Sequence, residues 1–266
     1  MADAAPVRIG VAGALGRMGR AVAAVARNQP AANLGPLFDR PETAGQAFEG
    51  VVLASLAEAL AGSDVIIDFS SPLASTILAR AAAEHGRPAL VIGSTGLSEA
   101  DIETVQAAAQ QVAIVRSGNF SLGLNLLTGL VEQAARALGG ADWDVEVFEA
   151  HHRRKVDAPS GSALMLGGAA ARGRDVALED VAVRGRDGLT GPRPTGAIGF
   201  SVMRGGGIIG EHSVIFAADE EIITLAHSAR DRSLFAKGAL VAALWVADKP
   251  PGLYDMMDVL GFARAL

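Results

Sequence analysis

The sequence has no cysteine among its 266 residues, so disulfide bonds, thiolate catalysis, iron–sulfur clusters and cysteine-bound zinc are excluded. It also has no apolar run near the roughly 18–20 residues that cross a bilayer, and the longest, residues 238–247, covers about half that length. The amino-terminal residues do not combine a basic region with an apolar core, so no secretory signal is predicted. Because the lack of disulfides fits a reducing compartment, we expect a cytoplasmic protein.

The sequence also has fewer basic than acidic residues. Lys and Arg number 23 against 29 Asp and Glu, which gives a net charge of −6. An acidic chain is repelled by phosphate backbones and anionic lipid surfaces, so we expect neither a nucleic-acid partner nor a membrane partner. Half of the residues are hydrophobic, which is enough for the core of one large or two modest domains.

Residues 1–121 alternate between short apolar runs and segments with helical spacing. This pattern predicts strands at 7–12, 33–38, 64–69, 88–92 and 112–115, and helices at 18–27, 73–85 and 99–111. Ser98 and Asp101 form a capping box before the third helix. Strands that alternate with helices indicate βαβ units and a mostly parallel sheet, an α/β fold.

The pattern changes after residue 121. A long helix is predicted at 122–138, followed by strands at 143–150, 181–183, 198–203, 208–216 and 221–227, most of them without a helix in between. Hairpin turns are predicted at 205–207 and at 218–220, and residues 184–196 are expected to form the most mobile loop. This α+β pattern indicates a second, smaller domain.

Three glycines, Gly13, Gly16 and Gly19, follow the first predicted strand and open the first helix. Such glycines allow a tight turn in which backbone N–H groups and the helix N-terminus face a phosphate. The spacing is GxxGxxG instead of the commoner GxGxxG, and glycines also permit close packing of a helix on a strand, so the motif alone leaves both interpretations open. Arg17 lies in this turn, where it can face phosphate.

Asp39 and Arg40 favour the dinucleotide interpretation. Asp39 follows the second predicted strand, where a carboxylate can accept hydrogen bonds from the adenosine ribose hydroxyls. Arg40 could pair with a 2′-phosphate. The two residues therefore point to NADH and NADPH respectively, and without the glycine motif they indicate no more than a solvated turn. Small polar loops at 68–71, 93–96 and 117–120 end further strands, where α/β sheets bind ligands and where ordinary turns also occur.

A cationic run, His151 to Lys155, stands out in this acidic chain and follows a predicted strand. Residues 159–162 then resemble a helix entrance whose N–H groups suit a carboxylate. Lys155 and this helix start could together hold a dianionic substrate, and a histidine can transfer a proton near neutral pH. Each residue also has a simpler, non-catalytic interpretation. Arg153 and Arg154 can be solvated surface charges, His152 can be a structural histidine, and Asp157 can neutralise the run or shape its turn.

Other chemistries fit this run poorly. Adjacent histidines point in different directions and no acidic ligand array accompanies them, so no metal site is predicted. Ser160 lacks the GxSxG elbow of a serine hydrolase, and the run lacks the aromatic residues of a nucleic-acid patch. The residues themselves indicate a nucleotide-dependent oxidoreductase that acts on an anionic substrate.

Residues 149–161 resemble the EAHHxxKxDAPSG signature of the dihydrodipicolinate reductase family, a long and specific string. Shorter matches at 13–19, 92–96, 118–121, 210–212, 243–245 and 252–255 extend the resemblance over almost the whole chain. Two departures keep the chemistry: Ser162 stands where threonine is usual, and Asp39 where glutamate is common.

The resemblance implies a Rossmann domain at 1–121 and 232–266, and an α+β domain at 122–231 for substrate binding and homotetramer contacts. It implies NADH- or NADPH-dependent reduction of a cyclic, dianionic imine derived from 4-hydroxy-tetrahydrodipicolinate, in the diaminopimelate route to lysine. Another two-domain imine or amino-acid dehydrogenase stays an alternative, as does a non-catalytic NAD(P) sensor, in which an acid/base pair would have decayed.

The resemblance also implies roles for individual residues. His151 matches the catalytic acid/base and Lys155 the proton donor, and the sequence does not decide which of them delivers the proton. The matches to substrate contacts are His152, Ser160, Gly161 and Ser162. The matches to cofactor contacts are Gly13, Ala14, Leu15, Gly16, Arg17, Met18, Asp39, Arg40, Gly93, Ser94, Thr95, Ser117, Gly118, Asn119 and Phe120.

Overall fold

The computed structural model describes residues 5–262. In chain order the elements are β1 (Val7–Ala12), α1 (Arg17–Arg27), β2 (Ala32–Phe38), β3 (Ala47–Phe48), β4 (Val51–Val52), α2 (Leu56–Gly62), β5 (Val65–Asp68), α3 (Pro72–His85), β6 (Ala89–Ile92), α4 (Glu99–Ala108), β7 (Ala113–Arg116), α5 (Leu122–Ala137), β8 (Asp144–His151), α6 (Gly161–Gly173), α7 (Leu178–Val181), β9 (Ala182–Val183), β10 (Ile198–Arg204), β11 (Glu211–Ala217), β12 (Ile222–Ser228), α8 (Ser233–Val246), β13 (Gly252–Tyr254) and α9 (Met256–Val259).

The described chain divides into two compact units. Unit 1 comprises the described residues of 1–122 and 233–266, and unit 2 comprises Gly123–Arg232. None of the helices within residues 5–262 is long and apolar enough to cross a membrane.

Unit 1 is built on a six-stranded sheet in the order β13-β7-β6-β5-β1-β2, with every neighbouring pair parallel. Its central strand β5 is buried along its whole length, as expected for a parallel strand covered on both faces. Buried residues of α1 and α8 pack on one face, and those of α2, α3 and α4 on the other. The predicted α/β fold with a mostly parallel, Rossmann-type sheet is confirmed.

Local signals account for several boundaries in unit 1. The Oγ of Ser71 accepts the N–H of Ala74 and Pro72 occupies the first turn of α3, which ends at Gly86 in the left-handed conformation. The capping box of Ser98 and Asp101 is present at the start of α4, as predicted. Helix α2 and the edge strand β13 were not predicted from the sequence.

Unit 2 contains a mixed five-stranded sheet in the order β12-β11-β8-β10-β9. Strand β8 runs parallel to β10 and antiparallel to β11, which forms a hairpin with β12. Buried side chains from α5 and α6 pack on one face of this sheet. The predicted smaller α+β unit and the hairpin at 218–220 are confirmed.

The hairpin predicted at 205–207 is wrong. Strands β10 and β11 flank this turn but do not pair, because β8 lies between them. The glycines instead carry the chain across the end of β8, where the Gly205 N–H donates to the His151 carbonyl and the Arg153 N–H donates to the Gly206 carbonyl. This crossing encloses the last residue of β8 between its two neighbouring strands.

Candidate functional site

The glycine turn in unit 1 is tightly folded. Gly13 has φ +71°, and a Cβ on Gly19 would lie 2.2 Å from the Gly13 carbonyl oxygen. Helix α1 begins directly after Gly16, and no side chain of the described residues caps its first turn. Backbone N–H groups at this helix start are therefore available to an anion, which fits the pyrophosphate of a dinucleotide.

Asp39 follows β2 and lies beside this turn. Its Oδ2 accepts a hydrogen bond from the Leu15 N–H at 3.0 Å, and its Oδ1 accepts one from the Arg40 N–H at 3.0 Å. The Arg40 side chain is 70% exposed, with its Nε 3.7 Å from Asp39 and 3.6 Å from Glu42. Asp39 is thus fixed against the turn, and Arg40 extends from it into solvent.

A cavity of about 670 Å³ adjoins these residues within unit 1. Its wall combines the glycine turn, Asp39 and Arg40 with apolar side chains that include Leu73 and Ile77 of α3. These two side chains are 71% and 50% exposed, although both are large and apolar. An apolar wall with a few polar groups at one side is typical of a ligand pocket and suits part of a dinucleotide.

Phe69 brings three of the segments matched to cofactor contacts together. A Cβ on Gly13 would lie 3.1 Å from the Phe69 carbonyl oxygen, and a Cβ on Gly93 would lie 2.2 Å from the Phe69 ring. The ring packs edge-on against Phe120, with centroids 5.7 Å apart. The glycine turn therefore packs against the Phe69 backbone, and the loops after β6 and β7 pack against its ring.

The remaining residues matched to cofactor contacts differ in exposure. Ala14 is buried and Met18 packs against the core of unit 1, whereas Arg17, Thr95 and Gly118 are exposed. In the loop after β7, the Ser117 Oγ donates to the Asn119 carbonyl at 2.7 Å and accepts from the Asn119 N–H at 3.1 Å. These bonds fix the shape of that loop.

A buried carboxyl lies under the same edge of the sheet. Asp68, the last residue of β5, accepts hydrogen bonds from the Ser70 N–H at 2.8 Å, the Ser70 Oγ at 2.5 Å and the Ser75 Oγ at 2.5 Å. The Ser75 Oγ is also 2.7 Å from the Ser94 Oγ. Burial raises the pKa of Asp68, although the hydrogen bonds from Ser70 and Ser75 counteract it.

The cationic run of unit 2 begins at the carboxyl end of β8, next to a fully buried glutamate. Glu149 accepts two hydrogen bonds from the Arg204 guanidinium at 2.7 and 2.8 Å and one from the Ser160 N–H at 2.9 Å. The His151 Nδ1 is 2.6 Å from its Oε2. Burial alone would raise the pKa of Glu149, but the bonds from Arg204, His151 and Ser160 outweigh it and lower the pKa to about 2.

His151 is itself largely buried and faces a second histidine. Its ring lies edge-on to that of His212, with centroids 5.2 Å apart, and His227 lies beyond at 6.2 Å from His212. Burial, followed by the charges of His151 and His227, lowers the pKa of His212 to about 4. A Cβ on Gly210 would lie 3.3 Å from the His151 Nε2. The surroundings of His151 are therefore neutral or cationic, except for Glu149.

Lys155 and His152 lie in the loop that follows β8. The Lys155 Nζ is 2.9 Å from the Asp157 Oδ1, and the Arg204 guanidinium holds the Asp157 carbonyl at 2.7 Å. Partial burial and the positive charges of Arg154, Arg232 and His151 lower the pKa of His152. The loop thus gathers cationic groups beside His151, with Asp157 as the partner of Lys155.

The helix entrance predicted at 159–162 is present as the start of α6. The buried Ser160 caps it, because its Oγ accepts the Ala163 N–H at 3.2 Å. Gly161 is exposed, and a Cβ there would meet no atom within 4 Å. Unit 2 therefore brings His151 and the capped start of α6 into contact with Glu149 at one end of its sheet, and Lys155 lies in the loop that joins them.

No role was predicted from the sequence for Glu149, Arg204 or His212. Glu149 was inside the matched signature, and its spacing of two from His151 on a strand places both on one face, which is a signal that could have found it. Arg204 and His212 reach the same place only through the pairing of β10 and β11 with β8. Among residues 5–262, no group of three or more acidic or histidine side chains could hold a metal ion.

Two family models match consecutive parts of the chain, and the second covers unit 2 together with residues 233–260 of unit 1. The family model "Dihydrodipicolinate reductase, N-terminus" matches residues 7–120, and "Dihydrodipicolinate reductase, C-terminus" matches residues 123–260. The 4-hydroxy-tetrahydrodipicolinate reductase of Caulobacter vibrioides is 61% identical over 97% of this chain and 99% of that protein. The reductase of the same name from Rhizobium rhizogenes is 51% identical over 97% of each chain.

The fold is shared with a solved structure, a dipicolinate-bound dihydrodipicolinate reductase from Paenisporosarcina sp. TG-14. The TM-score is 0.77 at 21% sequence identity, over 95% of this chain and 98% of that one. The family models and the curated relatives confirm the predicted enzyme class and the dependence on NADH or NADPH. The chain therefore belongs to the dihydrodipicolinate reductase family, the nicotinamide-dependent reductases that act in the diaminopimelate route to lysine.

Proposed function

We propose that unit 1 holds NADH or NADPH and that unit 2 holds the cyclic dicarboxylate and supplies the proton for its reduction. The observation that carries this proposal is that His151 and the start of α6 both contact the ionised Glu149, while Lys155 lies in the loop between them, paired with Asp157. A ring with two carboxylates needs cationic and N–H groups to bind it, and a reduced intermediate needs a proton donor. Both are present at one end of the unit 2 sheet.

In unit 1, the turn from Gly13 to Gly19 and the start of α1 would hold the pyrophosphate, and Asp39 the adenosine ribose. The cavity beside Asp39 would take the adenosine part, with Leu73 and Ile77 against the base. When bound, the nicotinamide supplies the hydride. The loops after β6 and β7, packed around Phe69, would hold the nicotinamide end.

In unit 2, Lys155 and the first turn of α6 would bind a carboxylate of the substrate and stabilise the charge that develops on the ring. His151 and Lys155 are the two groups that can hand a proton to the reduced intermediate. His152, Ser160, Gly161 and Ser162 would complete the binding site. Such positioned proton transfer contributes roughly 10²–10⁴-fold in rate.

The chain would act as a homotetramer in the cytoplasm. The face of the unit 2 sheet opposite α5 and α6 carries Phe148, Met203, Ile215 and Ile222, and of these Met203 and Ile222 are 48% and 67% exposed. Large apolar side chains on an open sheet face favour burial against other copies. Light scattering of the purified protein would show four chains per particle; a monomeric mass would contradict this, and fractionation of cells tests the compartment.

A coupled assay tests the proposed reaction. Pyruvate and aspartate semialdehyde are condensed by a separate synthase, and the protein is then added with NADH or NADPH. We expect nicotinamide absorbance to fall only when synthase, protein and cofactor are all present. Unchanged absorbance, with cofactor binding shown by fluorescence, would point to a different imine substrate. Absence of binding would contradict the cofactor site itself.

A further inference from the structure

The buried Glu149 has a role that the proposed acid/base pair does not cover. We propose that Glu149 and Arg204 are positioning residues: Glu149 fixes the His151 ring with its proton on Nδ1 and sustains a second proton on Nε2, and Arg204 holds the glutamate in place. This inference rests on the proposed role of His151. It adds two residues, one of them 55 positions from Glu149 in sequence, to the proton-transfer machinery.

The hydrogen-bond pattern determines the direction of the bond between Glu149 and His151. Arg204 and the Ser160 N–H are donors only, and they contact both carboxylate oxygens. Glu149 is therefore ionised and can only accept, in agreement with its pKa of about 2. The 2.6 Å contact must then run from the Nδ1–H of His151 to the Oε2 of Glu149. Nε2 is left as the nitrogen that exchanges protons.

The charges around the ring make Glu149 important for the proton on Nε2. From β11, His212 faces His151 as a neutral ring, and both its nitrogens lack a hydrogen-bond partner among residues 5–262. The end of β10 contributes the cation Arg204, and the loop after β8 contributes His152 and Lys155. Behind His212, β12 adds His227, whose pKa burial lowers. Among the described residues, Glu149 is thus the anion in contact with His151, and it favours the protonated ring.

The same strand provides a matched control. Glu146 of β8 points to the opposite face of the sheet, where Arg186 holds it at 2.8 and 3.0 Å and Arg193 at 3.1 Å. It is therefore a glutamate with arginine partners on the same element, without contact to His151. If the pair Glu149–Arg204 only stabilises unit 2, Glu149→Gln and Glu146→Gln should affect catalysis alike.

The pH dependence of kcat/KM distinguishes the two roles. Replacing Glu149 by Gln removes the anion and leaves Arg204 facing the His151 ring. The basic limb of the kcat/KM profile, where His151 loses its proton, should therefore move to lower pH by about one unit or more. Arg204→Met removes a cation, so the basic limb should move to higher pH. Glu146→Gln should leave the limb in place. Opposite shifts from Glu149→Gln and Arg204→Met cannot arise from a general loss of structure.

Nitrogen-15 spectra of the histidine rings give a readout independent of activity and of ligands. The signals of His151 are assigned as those lost in His151→Ala. We expect wild-type Nδ1 to stay protonated throughout, and Nε2 to titrate at lower pH in Glu149→Gln. A proton on Nε2 with Nδ1 unprotonated in the neutral ring would overturn the inference, and this measurement on the wild-type protein stands even if Glu149→Gln does not fold.

The outcomes separate the inference from the proposed function. If His151→Ala keeps wild-type turnover, the proposed role of His151 fails. If His151→Ala loses turnover but Glu149→Gln and Glu146→Gln give the same pH profile, the role of His151 stands and the positioning by Glu149 is overturned.

Discussion

The Asp39 carboxylate accepts a hydrogen bond from the Leu15 N–H at 3.0 Å, across 24 residues of sequence. This bond joins the end of β2 to the glycine turn. The residue matched to ribose recognition is therefore held directly against the segment matched to phosphate binding. Arg40 lies next to it with its side chain in solvent. The Asp39 side chain is thus 15% exposed and the adjacent Arg40 side chain 70% exposed, which bears on the choice of cofactor.

Replacing Arg40 by alanine should weaken NADPH more than NADH. A guanidinium bonded to the 2′-phosphate contributes roughly tenfold in affinity, whereas NADH lacks that group and should change less than about twofold. Titration of both cofactors by fluorescence measures this, with Arg8→Ala as the control because Arg8 is paired with Asp64. Equal weakening of the two cofactors would contradict the assignment of Arg40.

Replacing Gly19 by alanine should abolish cofactor binding and destabilise unit 1. The new Cβ would lie 2.2 Å from the Gly13 carbonyl oxygen, so the turn must open to accommodate it. Gly185 has no atom within 4 Å of an added Cβ, so Gly185→Ala should leave both properties unchanged. Calorimetric titration and thermal unfolding check this prediction, which fails if Gly19→Ala binds NADH with wild-type affinity.

The buried Asp68 should make the folded protein lose stability as pH rises. Its pKa is raised above the ordinary 3.8 on folding, so the folded state binds the proton more tightly than the unfolded state. The stability that this binding contributes is present below pH 3.8 and is lost as the pH rises through the raised pKa. Asp68→Asn does not titrate. Its Tm relative to wild type should therefore be higher at pH 7 than at pH 4, as measured by thermal unfolding.

Asp64, just before the same strand, provides a control of opposite sign. Its pKa is lowered by the hydrogen bond from Arg8, so its contribution to stability is present above 3.8 and lost as the pH falls through the lowered value. The Tm of Asp64→Asn relative to wild type should therefore be lower at pH 7 than at about pH 2–3, below the ordinary pKa of 3.8. Shifts of the same sign in both variants would contradict this account of Asp68.

Much of the fold could be predicted because its signals are local. The fully buried β5 is apolar up to its last residue, Asp68, and the capping box at Ser98 marks the start of α4. The pairing of strands in unit 2 was harder to predict from the sequence. Three glycines at 205–207 indicate a turn, but a turn does not specify which strands pair, and β8 lies between the strands on either side.

The candidate site was predictable where it is contiguous in sequence and not where it is assembled by pairing. His151, Lys155 and Ser160 lie within ten residues of one another. Arg204 reaches Glu149 because β10 runs parallel to β8 in a register that places Arg204 opposite His151. The pattern of residues along one strand does not predict its register with another strand.

The central claim is that proton chemistry belongs to unit 2 and cofactor binding to unit 1. It is tested most directly by measuring kcat and the Kd for NADH in His151→Ala and Lys155→Ala, with Arg153→Ala as the control from the same cationic run. We expect kcat to fall roughly 10²–10⁴-fold in the first two variants while the Kd stays within about twofold of wild type, and Arg153→Ala to match wild type. Loss of NADH affinity in parallel with kcat, or wild-type turnover in both variants, would contradict the account.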